Sequence, residues 1–210
     1  MTRGASCPNC GAPVQFRWSS AVQTACPFCK SILVRSDLEL KNVGQVADLP
    51  PDPSPIQLLT EGLYQGKKFQ VTGRLVYEWE QGGWNEWHIV LADGQSAWLS
   101  DAQLQYAVSF VADGGVLPTQ DQILRGKHLA FHNTDFEVST LTVATYKGFE
   151  GELPFAYYEK SDMLFADLKT SGRAFGTLDY SDDPPLLYVG EWVEFEELQL
   201  KNLRQFEGWK

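Results

Sequence analysis

The sequence predicts a mainly β protein: an N-terminal zinc ribbon followed by two small antiparallel β modules in tandem, of barrel or sandwich type. Three observations predict it. All four cysteines fall in two Cys-x-x-Cys pairs within the first 29 residues. Beyond a proline-rich stretch, apolar and polar residues alternate with a period of two, as in half-buried strands, and no long helical period stands out. Within that body, one segment repeats without gaps at an offset of 67 residues.

The cysteine pattern is Cys7-x2-Cys10, fifteen residues, then Cys26-x2-Cys29, a spacing that fits a four-thiolate zinc site. Each pair can place two sulfurs on one metal from a tight turn. Pro8 and Pro27 fix φ after the first ligand of each pair, and Gly11 can take the positive φ that follows such a knuckle. Val14–Trp18 alternates like a short strand, and Ser31–Val34 is placed to pair with it. Two disulfides do not suit a cytoplasmic chain, and a redox dithiol lacks its βαβ context here. Four thiolates close the coordination shell, so one structural Zn2+ is expected, supplying much of the folding free energy of a piece with little apolar core.

The ribbon is assigned to residues 1–36. A linker follows over 37–55, where four of the six residues from Pro50 to Pro55 are proline, a composition that favours a stiff extended spacer. The first β module is assigned to 56–118 and the second to 119–210. Phe69, Val71, Leu75 and Tyr77 alternate with polar residues, and Gly73 marks a bulge. Trp87–Leu91 and Ser96–Leu99 flank Asp93-Gly94, a hairpin signal. Phe136–Tyr146 reads as a strand, Met163–Leu168 and Ala174–Tyr180 as a hairpin about Ser171-Gly172, and Val189–Phe195 as the last strand. Leu198–Phe206 suits a strand end or a short helix. In the repeat, Tyr64–Thr72 aligns with Phe131–Ser139, Gly66 and Asn133 occupy one turn position, and Ile56 matches Ile123.

The net charge of −10 is unevenly spread: residues 1–36 carry four basic and no acidic side chains, leaving −14 on the remainder. An acidic body argues against nucleic-acid binding, which needs clustered Lys and Arg. The basic ribbon is the alternative place for an anionic partner, a reading weakened by the net charge of about −2 on a four-thiolate zinc centre. No apolar run approaches the roughly 18 residues of a membrane-spanning helix, and Cys7 follows Met1 too closely for a signal peptide. A soluble, cytoplasmic protein is expected.

No catalytic residue is assigned. Glu86 with Asp101 is the best acidic pair, and Glu150, Glu152 and the run Asp179–Asp183 are further acids, but no phosphate-binding loop, nucleophile elbow or dinucleotide fingerprint is present. His88 is expected on the solvent face of its strand, and His128 and His132 lie four apart without an evident third ligand. Trp79, Trp84, Trp87 and Trp98 fall within twenty residues. Trp87 and Trp98 are expected to pair across the hairpin, either as core or as an exposed patch that grips a partner. Trp84, Glu86, Trp87 and Trp98 are the candidate binding residues.

Through Trp84-Asn85-Glu86-Trp87, Asp93-Gly94 and Trp98-Leu99-Ser100-Asp101, and again through Gly151–Phe155, Thr177–Tyr180, Pro184-Pro185 and Gly190-Glu191, the chain resembles the bacterial family called domain of unknown function 4178. The resemblance covers roughly residues 56 to 204, and a zinc ribbon is similar to that of some members. It implies no activity. It implies genomic association with phage-shock-type membrane-stress proteins and polyamine-synthesis enzymes, and hence a role in an envelope-associated system. The function expected is a non-enzymatic binding or scaffold protein with a protein partner, or one that self-associates through open sheet edges. The alternatives are an enzyme or accessory subunit using the acids, and nucleic-acid binding through the ribbon.

Overall fold

Fifteen β-strands and two short 3-10 turns account for the regular structure, with no α-helix among the described residues. The computed structural model describes residues 4–36, 39–49, 52–131, 133–157 and 162–206. The mainly β fold read from the alternation is therefore the fold found.

The ribbon contains β1 (Gly4–Ser6), β2 (Pro13–Gln15), β3 (Gln23–Ala25) and β4 (Ser31–Ser36). Each cysteine knuckle is the tip of its own hairpin, Cys7–Cys10 between β1 and β2 and Cys26–Cys29 between β3 and β4. This corrects the expected pairing of Val14–Trp18 with Ser31–Val34. A tight turn joins neighbours in sequence, so β2 pairs with β1 and β4 with β3. Part of the stretch read as linker is also strand: β5 (Glu39–Gln45) pairs along β4, because alternation over Leu40–Val43 supplies ladder partners that the prolines further on lack.

The body is two five-stranded meanders. The first runs β6 (Glu61–Tyr64), β7 (Lys67–Trp79), β8 (Gly82–Leu91), β9 (Ser96–Ala102) and β10 (Gln105–Ala112). The second runs β11 (His128–Phe131), β12 (Thr134–Leu153), β13 (Asp162–Lys169), β14 (Ala174–Asp179) and β15 (Leu186–Val193). The 67-residue repeat is geometrical as well as sequential. Tyr64 faces Lys67 across one turn, and Phe131 faces Thr134 across the other. The Val71 N–H bonds the Thr60 carbonyl at 2.8 Å, and the Val138 N–H bonds the Lys127 carbonyl at 2.8 Å. Leu59 and Gly126 both hold positive φ, at 68° and 80°. Ile56, Phe69 and Val71 pack in one core, and their counterparts Ile123, Phe136 and Val138 in another.

The halves join edge to edge. β10 pairs with β15 and β7 with β12, all antiparallel, so β7–β8–β9–β10–β15–β14–β13–β12 is a closed ring of eight strands. Closure removes the open edges along that ring. The seams need close backbone approach: a Cβ on Gly73 or Gly151 would run into the carbonyl of Glu152 or Thr72, and one on Gly190 into that of Val108. The bulge expected at Gly73 is present between β7 and β8.

β3 continues this sheet by pairing with the end of β12, Thr24 opposite Glu152. Ile32 of the ribbon packs with Leu75, Phe149 and Tyr157 in a third core. Polar contacts reinforce the joint. The buried Glu152 carboxylate accepts the Arg17 and Trp18 N–H groups at 2.7 and 2.9 Å. The Gln23 side chain both accepts from the Tyr157 N–H at 2.7 Å and donates to the Tyr157 carbonyl at 3.1 Å.

Candidate functional site: the barrel interior and the four-cysteine cluster

Side chains alternate across a sheet, so one residue parity of each barrel strand points inward. Cross-strand partners identify that parity: Leu75 opposite Glu86, Glu86 opposite Ser100, Asp167 opposite Thr177, and Thr177 opposite Tyr188. These residues line an inner chamber with a cavity volume of about 50 Å³. It is contiguous through Glu86, Ser100, Phe165, Phe175 and Thr177 with an outer chamber of about 270 Å³ that reaches Gln103, Gln105 and the partly exposed Trp192. Phe155 and Tyr157, which follow β12, close part of the inner chamber. Tyr157 is held there by its two hydrogen bonds with Gln23 of the ribbon.

Three carboxylates enter this apolar space. Glu86 accepts from Trp84 Nε1 at 3.0 Å and from the Ser100 hydroxyl at 2.8 Å. Burial pushes its pKa up to about 8 despite those bonds, with Asp167 and Asp179 adding repulsion. Asp167 accepts from the Thr177 hydroxyl at 3.0 Å, and burial raises it to about 6. Asp179 accepts from the Ser181 N–H at 2.8 Å. The lining of both chambers contains no Lys, Arg or His.

The candidate residues separate by face. Trp84, Glu86 and Trp98 are on the inner side, and Trp84 stacks on Tyr77 with centroids 5.0 Å apart. Trp87 faces the other way, fully buried among Ile89, Leu99 and Val108, with the Arg74 guanidinium 5.0 Å from its ring centre. Trp87 and Trp98 do not pair: Trp98 lies opposite His88, and Trp87 opposite Leu99. The hairpin loop sets this register, one step off the sequence expectation, and a one-residue step reverses the face.

The same rule divides the acidic pair. Asp101 lies opposite Asn85, on the face away from Glu86, and accepts a hydrogen bond from Ser54. Glu150 bonds the buried Arg74 at 3.0 Å, and Glu152 holds the ribbon, so neither belongs to a cation loop with Asp179. His88 is fully buried, correcting its solvent-face placement. Its ring nitrogens each lie 2.7 Å from a hydroxyl, of Thr72 and Ser96, and the ribbon's Trp18 covers it. His128 forms an exposed pair with Asp135 at 2.8 Å, and His132 lies outside the described residues. Sequence reading missed Asp167 as a member of the interior; only its inward parity on β13 was a signal.

The four cysteine sulfurs lie within 4.8 Å of one another. A tetrahedron with sulfurs about 2.3 Å from a central ion has edges of about 3.8 Å. Cys7 Sγ to Cys29 Sγ is 3.7 Å and Cys10 Sγ to Cys26 Sγ is 3.8 Å, so the donor set fits one metal ion. Turn bonds shape both knuckles: Gly11 N–H to the Cys7 carbonyl at 2.8 Å, and Lys30 N–H to the Cys26 carbonyl at 3.0 Å. Gly11 takes the expected positive φ at 74°, and Lys30 takes the matching position at 60°.

Fold and site thus define an eight-stranded barrel with an acidic interior chamber, braced by a four-cysteine ribbon. The chain belongs to the family described as domain of unknown function (DUF4178), whose match spans residues 60–195 and therefore the whole barrel. No curated protein and no solved structure showed a significant match. No helix among the described residues is long and apolar enough to cross a membrane.

Proposed function

We propose that this protein is a non-enzymatic binding protein that holds a small molecule inside its barrel, with a structural zinc ion in the four-cysteine cluster. The chamber inside the ring carries the reading. Small eight-stranded barrels either fill their interior with side chains or keep room for one small ligand, and this one leaves about 50 Å³ in the inner chamber and about 270 Å³ in the outer. Its lining combines ring walls with a few convergent polar groups, as ligand pockets do. A binding role suits the chemistry present: Glu86 and Asp101 lie on opposite faces, His88 is locked between hydroxyls, and every cysteine is in the cluster.

Zinc is the ion proposed because four thiolates in tetrahedral array favour it and leave no open position. Its task would be to fix the ribbon, which in turn holds Tyr157 against the chamber. A protein partner would have to meet another surface than the one expected, because the rings of Trp87 and Trp98 are buried.

Ligand-observed NMR with a fragment set tests the reading on the full chain. Fragments should bind the wild type and lose contact in Thr142→Phe, which fills the outer chamber, with circular dichroism confirming that the variant is folded. Unchanged binding in a folded Thr142→Phe, or no fragment bound by wild type, would sink the lumen as the site.

A further inference from the structure

The proposed lumen site leaves the ligand's chemistry open, and the lining speaks to it. We propose that the lumen takes a primary ammonium ion carried on a slender apolar chain. Its N–H bonds would go to Glu86, Asp167 and neighbouring hydroxyls, and its chain to the ring walls. This assignment rests on the lumen-binding reading and narrows it to one chemical class.

The first ground is charge of one sign. Glu86, Asp167 and Asp179 share the chamber with no basic residue in its lining. A buried carboxylate is stable as an anion only when a cation or several donors face it. Each of Glu86 and Asp167 has hydroxyl or indole donors, yet burial still pushes Glu86 up to about 8 and Asp167 up to about 6. Anions and electron-rich ligands would meet repulsion here.

The second ground is independent of the acids. Ser109 is 3% exposed and Thr142 is 7% exposed. Their hydroxyls line the two chambers, and they bond to no protein group among the described residues. A hydroxyl that lines a cavity and lacks a protein partner bonds to what enters the cavity. An N–H-bearing cation can supply donors to several such oxygens.

The third ground concerns the kind of cation. Among the described residues, the cysteine cluster is the one group of at least three ligand-type side chains whose donor atoms converge within 4.8 Å. The three carboxylates are therefore too dispersed to share a bare metal ion, which gathers its oxygens at about 2.0–2.6 Å. An organic cation spans such a spread. The faces of Trp84, Trp98, Phe165 and Phe175 offer cation–π and apolar contact along its length.

Binding should release protons. The titratable groups facing Glu86 are Tyr77 on β7, Asp167 on β13, Asp179 on β14, Tyr188 on β15 and Tyr157 beyond β12. All are acids, so the arriving ammonium provides the sole positive charge, and Glu86 must ionise to pair with it. The affinity should therefore rise with pH through the neutral range.

Isothermal titration calorimetry on the full chain near neutral pH, with hexylammonium, hexanol and hexanoate, tests this with one chain and three head groups. Hexylammonium should bind at least about tenfold more tightly than hexanol, a difference of about 1.4 kcal/mol, and hexanoate should not bind. Heats in phosphate and Tris buffers should differ by the ionisation of up to one proton per site. Glu86→Gln, folded by circular dichroism, should weaken hexylammonium by at least about tenfold and abolish the proton release. Hexanol binding as tightly as hexylammonium would overturn the cation assignment and leave the lumen reading standing. Binding of none of the three would overturn the assignment, and the fragment screen would then decide the lumen reading by itself.

Discussion

Gln23 and Tyr157 hold each other by two hydrogen bonds between one side-chain amide and one backbone unit, at 2.7 and 3.1 Å, across 134 residues of chain. Gln23 is fully buried. The pair joins the cysteine ribbon to an aromatic wall of the barrel chamber, so cysteine cluster and chamber belong to one structure.

Gln23→Ala removes the acceptor of the Tyr157 N–H and one of two donors to its carbonyl, which keeps the Tyr146 hydroxyl at 3.1 Å. Loss of a buried polar group's partner costs roughly 1–3 kcal/mol, so a loss of about 1–3 kcal/mol is expected in urea unfolding. A change within error of zero would mean that water replaces the amide and that the joint is loose.

Metal removal should be felt beyond the ribbon. Elemental analysis should find one zinc per chain and none in Cys26→Ser. Because β3 pairs with β12 and Ile32 packs on Phe149, chelation should lower the melting temperature of the barrel as well as the ribbon. If the barrel melted at the same temperature with and without metal, the ribbon would be a passenger.

Stability should fall with rising pH through the Glu86 titration. The folded pKa is raised from 4.5 to about 8, so the folded state holds the proton more tightly. The contribution is fully present below about 4.5 and is lost as pH rises through about 8. His88 acts in the opposite direction. Burial lowers it to about 3, so its contribution is present above its ordinary pKa of about 6.5 and lost as pH falls towards about 3. Glu86→Gln should therefore raise the melting temperature more in alkaline than in acid buffer. An equal shift in both would refute the raised pKa.

Arg74 anchors the Asp52–Pro55 segment to the barrel. Its guanidinium meets Asn85 at 2.8 and 2.9 Å, Glu150 at 3.0 Å and Asp52 at 3.2 Å, with the Arg74 and Asp52 side chains each 4% exposed. Breaking a buried pair by removing one partner costs about 3–5 kcal/mol. Arg74→Ala should lose an amount in that range by denaturant unfolding, while Lys67→Ala, which removes a half-exposed pair with Asp93, should change stability by less than about 1 kcal/mol.

Local patterns carried much of this protein in the sequence. The doubled Cys-x-x-Cys spacing located the four-cysteine cluster, because each knuckle is built from a few adjacent residues. Period-two alternation located most of the strands, and Asp93-Gly94 and Gly73 marked a turn and a bulge whose backbone needs are local. The match of Tyr64–Thr72 with Phe131–Ser139 disclosed a repeat that recurs in the hydrogen bonding of both halves.

Relations between distant residues belonged to the tertiary structure. Whether Trp98 met Trp87 or His88 depended on a one-residue register, and that step alone put Glu86 inside the barrel and Asp101 on the opposite face. The linker prolines concealed β5, whose partner is in the ribbon. Most of all, the pairing of β7 with β12 and of β10 with β15 turned two meanders into one ring. Alternation states that a strand has two faces. Only closure decided that one face of eight strands would surround a chamber, and that Glu86, Asp167 and Asp179, 93 residues apart from first to last, would line it together.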